Sequence, residues 1–199
     1  MHESINKKHQ ENILHLTKEF LTNNPFAHLE LREFLEPLVA KKLSNELQKE
    51  KFKHKDSDLF KFSQTQDLAA AQNGFIQDFH SFWQSDVREF IQAITQTELK
   101  TIDMSGFIYE SGDYLLAHDD KLEGRKIAYI LNLSENFKEA DGGQLDLFET
   151  KEEHPIRIVK SIPPTFNTLT IFKVLPTSFH QVREITKKKR LSIAGWFHA

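Results

Sequence analysis

The chain has 199 residues, with 26 Lys plus Arg against 29 Asp plus Glu, a net charge of −3 and no cysteine. The missing cysteine excludes a disulfide framework, a Cys-containing zinc site, an iron–sulfur cluster and a thiol nucleophile, and the charge balance argues against a nucleic-acid partner held by bulk electrostatics. At 39% apolar and 28% charged residues, the composition is that of one globular domain over residues 1–199. Ten histidines without a cysteine mean that any bound metal is held by nitrogen and oxygen. The start Met1-His2-Glu3-Ser4-Ile5-Asn6-Lys7-Lys8 has no apolar signal-peptide core, and no apolar run approaches the roughly 20 residues of a membrane span. The expected location is the cytoplasm, with no membrane partner.

From Gln10 to Lys100 apolar residues recur at helical spacing. Ile13, Leu14, Leu16, Phe20 and Leu21 predict one helix, ended by Asn23-Asn24-Pro25. Leu35, Leu38, Val39, Leu43 and Leu47 predict a second, with Pro37 in its first turn. A third runs from Phe75 to Ala93, its stripe of Phe75, Phe79, Phe82, Trp83, Val87, Phe90 and Ile91 reading as core. Between the last two, Lys51 to Leu68 reads either as an exposed loop or hairpin or as a substrate-binding lid.

After Thr101 the period shortens. Eight β-rich runs follow: Ile102–Glu110, Tyr114–His118, Lys126–Leu133, Gln144–Phe148, Ile156–Ile162, Thr168–Phe172, Ser178–Val182 and Leu191–His198. Ser111-Gly112-Asp113, Asp141-Gly142-Gly143, Pro163-Pro164 and Pro176 punctuate them. The expected fold class is α+β: a jelly roll (double-stranded β-helix) over about 101–199, with a helical N-terminal layer over about 1–100 packed on it.

The strongest chemical signal is Ala117-His118-Asp119-Asp120 at the end of a predicted strand. Residues i and i+2 of a strand share a face, so His118 and Asp120 present an imidazole and a carboxylate to one point. Such a pair is common; His9-x-Glu11, His28-x-Glu30 and His54-x-Asp56 also occur here. A third donor, His180, stands in Ser178-Phe179-His180-Gln181-Val182, and Arg190 opens the last strand. In an eight-stranded jelly roll the second and seventh strands can lie side by side. That arrangement brings His118, Asp120 and His180 to one end of the barrel, with Arg190 expected on the adjacent strand inside it. Two histidines and one carboxylate form the facial triad of non-haem Fe(II) oxygenases, and a buried arginine offers a planar fork to a carboxylate.

On these residues the chain resembles the 2-oxoglutarate- and Fe(II)-dependent oxygenases, and among them the ribosomal prolyl hydroxylase branch. The matching stretches are Tyr114 to Asp120, Gly124-Arg125-Lys126-Ile127-Ala128-Tyr129-Ile130-Leu131, Gly142 to Leu147, Ser178 to Val182 and Arg190 to His198. Upstream, Asn24-Pro25-Phe26 and Asp58-Leu59-Phe60-Lys61-Phe62 also match. The resemblance implies that His118, Asp120 and His180 ligate iron, that Arg190 pairs with the distal carboxylate of 2-oxoglutarate, and that Tyr109 donates to the same cosubstrate. Relatives tend to carry a tyrosine near the cosubstrate where this chain has Asn132, which keeps a donor and an acceptor and is expected, with Arg190 and Tyr109, among the cosubstrate-binding residues. Either affinity for the cosubstrate is weaker, or Arg190 and Tyr109 hold the carboxylate alone. Eukaryotic relatives carry a further jelly-roll domain, so the length reads as a catalytic domain alone.

The implied cofactor set is Fe(II), with 2-oxoglutarate and O₂ as cosubstrates and ascorbate as reductant. The expected reaction is hydroxylation of a prolyl residue in a protein or peptide substrate, a ribosomal protein or elongation factor. Two alternatives stand beside it: the same chemistry on another peptide or small molecule, and a non-catalytic metal-binding jelly roll serving as a sensor or binding module.

Overall fold

The structure, a computed structural model, describes residues 4–199. Its helices follow the apolar periodicity. After the single turn α1 (Lys7–Gln10), α2 (Ile13–Thr22) buries Leu16 and Phe20, and α3 (Pro37–Leu47) buries Ala40, Leu43 and Leu47. The predicted third helix is α4 (Gly74–Phe82), a π-turn over Trp83–Val87, and α5 (Arg88–Thr95). Asn73 caps α4, its Oδ1 accepting from the Phe75 and Ile76 amides. Leu14 and Leu38, expected on the buried stripes, are 89% and 86% exposed. At about 100° per residue Leu14 lies on the far side of α2 from Leu16. No helix among the described residues is long and apolar enough to cross a membrane.

Eleven strands among the described residues form one curled antiparallel sheet. Eight are those predicted: β4 (Thr101–Tyr109), β5 (Tyr114–His118), β6 (Arg125–Asn132), β7 (Leu145–Lys151), β8 (His154–Ile162), β9 (Thr168–Lys173), β10 (His180–Val182) and β11 (Arg190–His198). Of the other three, β1 (His28–Arg32) is an addition to the expected helical layer over about 1–100 and pairs with β9. β2 (Lys53–Ser57) and β3 (Phe60–Gln64) are the hairpin that the sequence offers as one reading of Lys51 to Leu68, and it joins the sheet through β3. β1 buries Leu29 and Leu31 only because β9 lies beside it, a pairing that no local pattern carries. The order is β1-β9-β6-β11-β4-β3-β5-β10-β7-β8, with β2 on β3.

Alternation along these strands sorts two cores. Leu131, Leu169, Ile171, Ile193 and Phe197 point outward and pack with Phe20, Phe79, Trp83 and Ile94 of the helical layer. Ala128, Ile130, Leu145, Leu147 and Phe172 pack together inside the curl. Where β11 passes β4, a Cβ on Gly195 would fall 1.9 Å from the Asp103 carbonyl oxygen. That oxygen also accepts from the Tyr129 hydroxyl at 2.8 Å. Gly195→Ala is therefore expected to force the strands apart and cost about 1–3 kcal/mol, read as a lower urea midpoint. An unchanged midpoint would show that the strands give way freely.

Candidate active site

β5 and β10 are neighbours, with His118 opposite His180 in the register, so the expected side-by-side strands are found. β5 stops at His118, and Asp120 has φ +61. Its carboxylate thus reaches the histidines through a left-handed turn rather than by strand alternation, a conformation that aspartate tolerates better than most residues. Asp120 Oδ1 lies 3.3 Å from His118 Nε2, and Oδ2 lies 3.3 Å from His180 Nε2. The three donor atoms sit within 4.8 Å of one another.

The ring nitrogens facing away from this point are fixed by backbone. His118 Nδ1 lies 2.9 Å from the Leu116 carbonyl, and His180 Nδ1 lies 2.9 Å from the Ser178 carbonyl. Each Nδ1 donates there in the neutral ring, so each Nε2 presents a lone pair to the shared point, as a metal-binding histidine does. Two neutral imidazoles and one carboxylate fit a divalent metal of intermediate softness, and fit Fe(II) with positions left open.

Burial by itself lowers the pKa of His118, but the hydrogen bond and charge of Asp120 outweigh it and leave it raised. Burial likewise pushes Asp120 up, and the two histidines overcome it, holding the carboxyl well below the usual range. A raised histidine pKa stabilises the metal-free fold below about pH 6.5, and that contribution disappears as pH rises through the folded value. Metal needs the neutral ring, so its affinity climbs over the same interval. Chelator-treated protein should lose melting temperature as pH rises above about 6.5, while zinc affinity by competition titration increases. Both quantities moving together would contradict the pairing.

Arg125 was not foreseen as a site residue, although it lies in a matching stretch. At the start of β6, its Nη1 donates to the Asp120 carbonyl at 3.3 Å, and its guanidinium stacks over the Trp196 ring at 3.3 Å. It braces the turn that aims the carboxylate. Arg125→Ala is expected to weaken metal binding about 10–100-fold, the usual effect of losing a group that orients a ligand. Competition titration against a chromophoric chelator checks this, and wild-type affinity would remove Arg125 from the site.

A cavity of about 210 Å³ is lined by the triad and by Arg190, with Phe62, Phe107, Leu115, Ile130, Phe172 and Trp196 among its walls. Arg190 does not lie on a strand adjacent to β10, as expected from sequence. β4, β3 and β5 intervene, and the curl of the sheet brings Arg190 to the same cavity as the triad. It is 1% exposed, and no carboxylate among the described residues pairs with it. Burial disfavours its charge, and the facing Tyr109 offsets this only in part. A buried, permanently charged guanidinium without an anion is costly until one arrives.

Tyr109 lies opposite Arg190 in the β4–β11 register, its ring 5.3 Å from the guanidinium carbon. Burial pushes its phenol far up, so it is an O–H donor at physiological pH. Asn132, taken from sequence as a cosubstrate contact, is not on the cavity wall. Its Oδ1 instead accepts from Arg190 Nε at 3.3 Å and Nη2 at 3.0 Å. Phe62 and Gln64 of the hairpin line the cavity, so the segment that sequence left open is both a hairpin and part of the wall. His28 and His198 lie elsewhere, bonded to the Phe26 carbonyl and to Asp103.

Comparison with known proteins agrees with this geometry. Residues 104–198 match the model of the 2OG-Fe(II) oxygenase superfamily. The chain is 40% identical over 183 residues to the prolyl 3-hydroxylase OGFOD1 of Xenopus laevis, an alignment covering 89% of this chain and 36% of that protein. It is 35% identical over 197 residues to the prolyl 3,4-dihydroxylase OGFOD1 of Ostreococcus tauri, covering 88% and 38%. The chain thus spans little more than a third of the length of these relatives. In fold it resembles a prolyl-4-hydroxylase of Pseudomonas putida, with a TM-score of 0.74 and 18% identity over 92% of this chain and 98% of that one. A Trichoplax adhaerens prolyl hydroxylase, solved with a hypoxia-inducible-factor peptide, superposes with a TM-score of 0.77 and 16% identity over 96% and 91%. The superfamily match runs over the strands that hold His118, His180 and Arg190, and the relatives align along nearly nine-tenths of the sequence: over residues 104–198 this chain matches the 2OG-Fe(II) oxygenase superfamily, and along most of its length it is similar to prolyl hydroxylases.

Proposed function

We propose that this chain is an Fe(II)- and 2-oxoglutarate-dependent dioxygenase that hydroxylates a prolyl residue in a protein of the translation machinery, a ribosomal protein or elongation factor. One observation carries the reading: a His–Asp–His triangle and a buried arginine with no carboxylate partner among the described residues line a single cavity. His118, Asp120 and His180 hold the metal, and the backbone carbonyls of Leu116 and Ser178 keep the two rings oriented. Arg190 and Tyr109 take the distal carboxylate of 2-oxoglutarate by charge-assisted hydrogen bonds. The aromatic and aliphatic walls keep bulk water from the reacting end. When bound, iron with 2-oxoglutarate and O₂ supplies the oxidation, one oxygen atom entering an unactivated C–H bond and the other leaving in succinate as CO₂ is lost. Ascorbate keeps the metal ferrous between turnovers.

A polypeptide substrate is favoured over a small molecule by the surface beside the triad. His118 is about a third exposed on its side chain, and Leu116 and Leu122, each two residues from a triad member, are 45% and 62% exposed. The exposed Leu59 at the hairpin tip accepts through its carbonyl from the Leu116 amide. Exposed apolar side chains close in sequence to the triad suit docking of another chain. The prolyl target comes from the relatives, which are prolyl hydroxylases, and the translation-machinery target from the sequence resemblance. The test is succinate formation with Fe(II), 2-oxoglutarate and ascorbate, together with intact-mass comparison of ribosomal proteins and elongation factors from cells with and without the chain. A protein heavier by one oxygen atom on a proline is expected. Succinate formation with no such mass shift would move the substrate to another peptide or a small molecule; no succinate under any condition would leave a binding module.

A further inference from the structure

Arg190 has five N–H groups in a planar fork, and the fold has already committed one edge of it. Asn132 Oδ1 bridges Nε and Nη2, the only protein acceptor that the guanidinium has among the described residues. The Arg190 guanidinium carbon lies over the Tyr109 ring at 5.3 Å, and a Cβ on Gly143 would come within 3.3 Å of Arg190 Cδ, so the loop before β7 closes on the stem. Nη1 and the remaining Nη2 hydrogen have no protein partner among the described residues. These two groups form the end-on edge of the fork, the geometry that meets a carboxylate through two parallel bonds.

We propose that Asn132 is a positioning residue for the cosubstrate. It occupies the Nε edge of Arg190 and turns the end-on Nη1/Nη2 edge toward the distal carboxylate, without touching 2-oxoglutarate itself. The inference rests on the proposed cosubstrate site and adds to it. The neutrality of Asn132 is the second half of the device. An amide oxygen can hold the guanidinium without neutralising it, whereas an aspartate at the same place would supply the anion that the site reserves for its ligand. On this reading the asparagine sets the orientation of the anion site and is no sign of a lost activity.

The experiment measures binding, not turnover. Calorimetry on anaerobic Fe(II)-loaded protein compares 2-oxoglutarate with pyruvate, a 2-oxo acid lacking the distal carboxylate, for wild type, N132A, N132D and R190A, and for R190A/N132A. N132A is expected to weaken 2-oxoglutarate about tenfold, the worth of a charge-assisted hydrogen bond, and to leave pyruvate unchanged. N132D, nearly isosteric, is expected to weaken 2-oxoglutarate further than N132A, again sparing pyruvate. In the R190A background the Asn132 change should add nothing. The proposal is overturned if N132A and N132D bind 2-oxoglutarate within twofold of wild type, or if they lose both ligands in equal measure, as a merely structural role requires. Wild type that binds neither ligand would instead overturn the cosubstrate site itself.

Discussion

His180→Ala protein, purified and desalted after Fe(II) loading, is expected to contain almost no iron. His180 supplies the donor that β10 brings to Asp120, and it is nearly sealed from solvent, with 4% side-chain exposure. Water cannot readily replace it in kind. Its loss leaves one imidazole and one carboxylate, and Asp120 loses a partner that helps keep it ionised. Groups that merely orient a ligand are worth about 10–100-fold in metal affinity, so deleting a donor should cost more than about a hundredfold. Elemental analysis and the metal-dependent rise in melting temperature both report it. His198→Ala is the control, since His198 is engaged with Asp103 outside the triad. Iron content equal to wild type in the His180 variant would end the ligand assignment.

Arg190→Met should separate binding from stability. Two end-on bonds to a carboxylate at roughly 1.5 kcal/mol each amount to about a hundredfold in affinity for 2-oxoglutarate. The same substitution removes a charge that is fully buried and lacks an anionic partner among the described residues. Its desolvation costs several kcal/mol, more than the roughly 1–3 kcal/mol of leaving Asn132 without its donor. The ligand-free variant should therefore melt no lower than wild type while binding 2-oxoglutarate at least a hundredfold more weakly in calorimetry. A destabilised variant that retains affinity would identify Arg190 as a structural residue. The expected result is the signature of a group kept for function at a cost to the fold.

Much of the fold was legible because it is local. The period change near Thr101 reports helices giving way to strands, and eight predicted strands recur within a few residues of their places. β1 was missed because five residues of alternation, His28–Arg32, become a strand only when β9 supplies the partner. Leu14 and Leu38 were misplaced because being apolar does not decide which side of a helix meets the core. In the site, His118 and Asp120 were legible as a pair, but the reason was partly wrong: a left-handed turn at Asp120, not strand alternation, aims the carboxylate. Arg125 carried no signal of its own. Its role depends on a backbone carbonyl that this turn exposes.

The sequence by itself determined the donor types, nitrogen and oxygen with no sulfur, and the short-range spacings that place His118 near Asp120 and Arg190 at the head of a strand. Only the tertiary structure decided that β10 lies beside β5, that Arg190 shares a cavity with the triad, and that Asn132 bonds to the arginine. The reason is physical. Local sequence specifies backbone period and which side chains alternate, whereas strand order and register are chosen by the burial of whole faces against distant partners. A site whose parts come from at least five different strands and the turn after β5 exists only once those faces have closed.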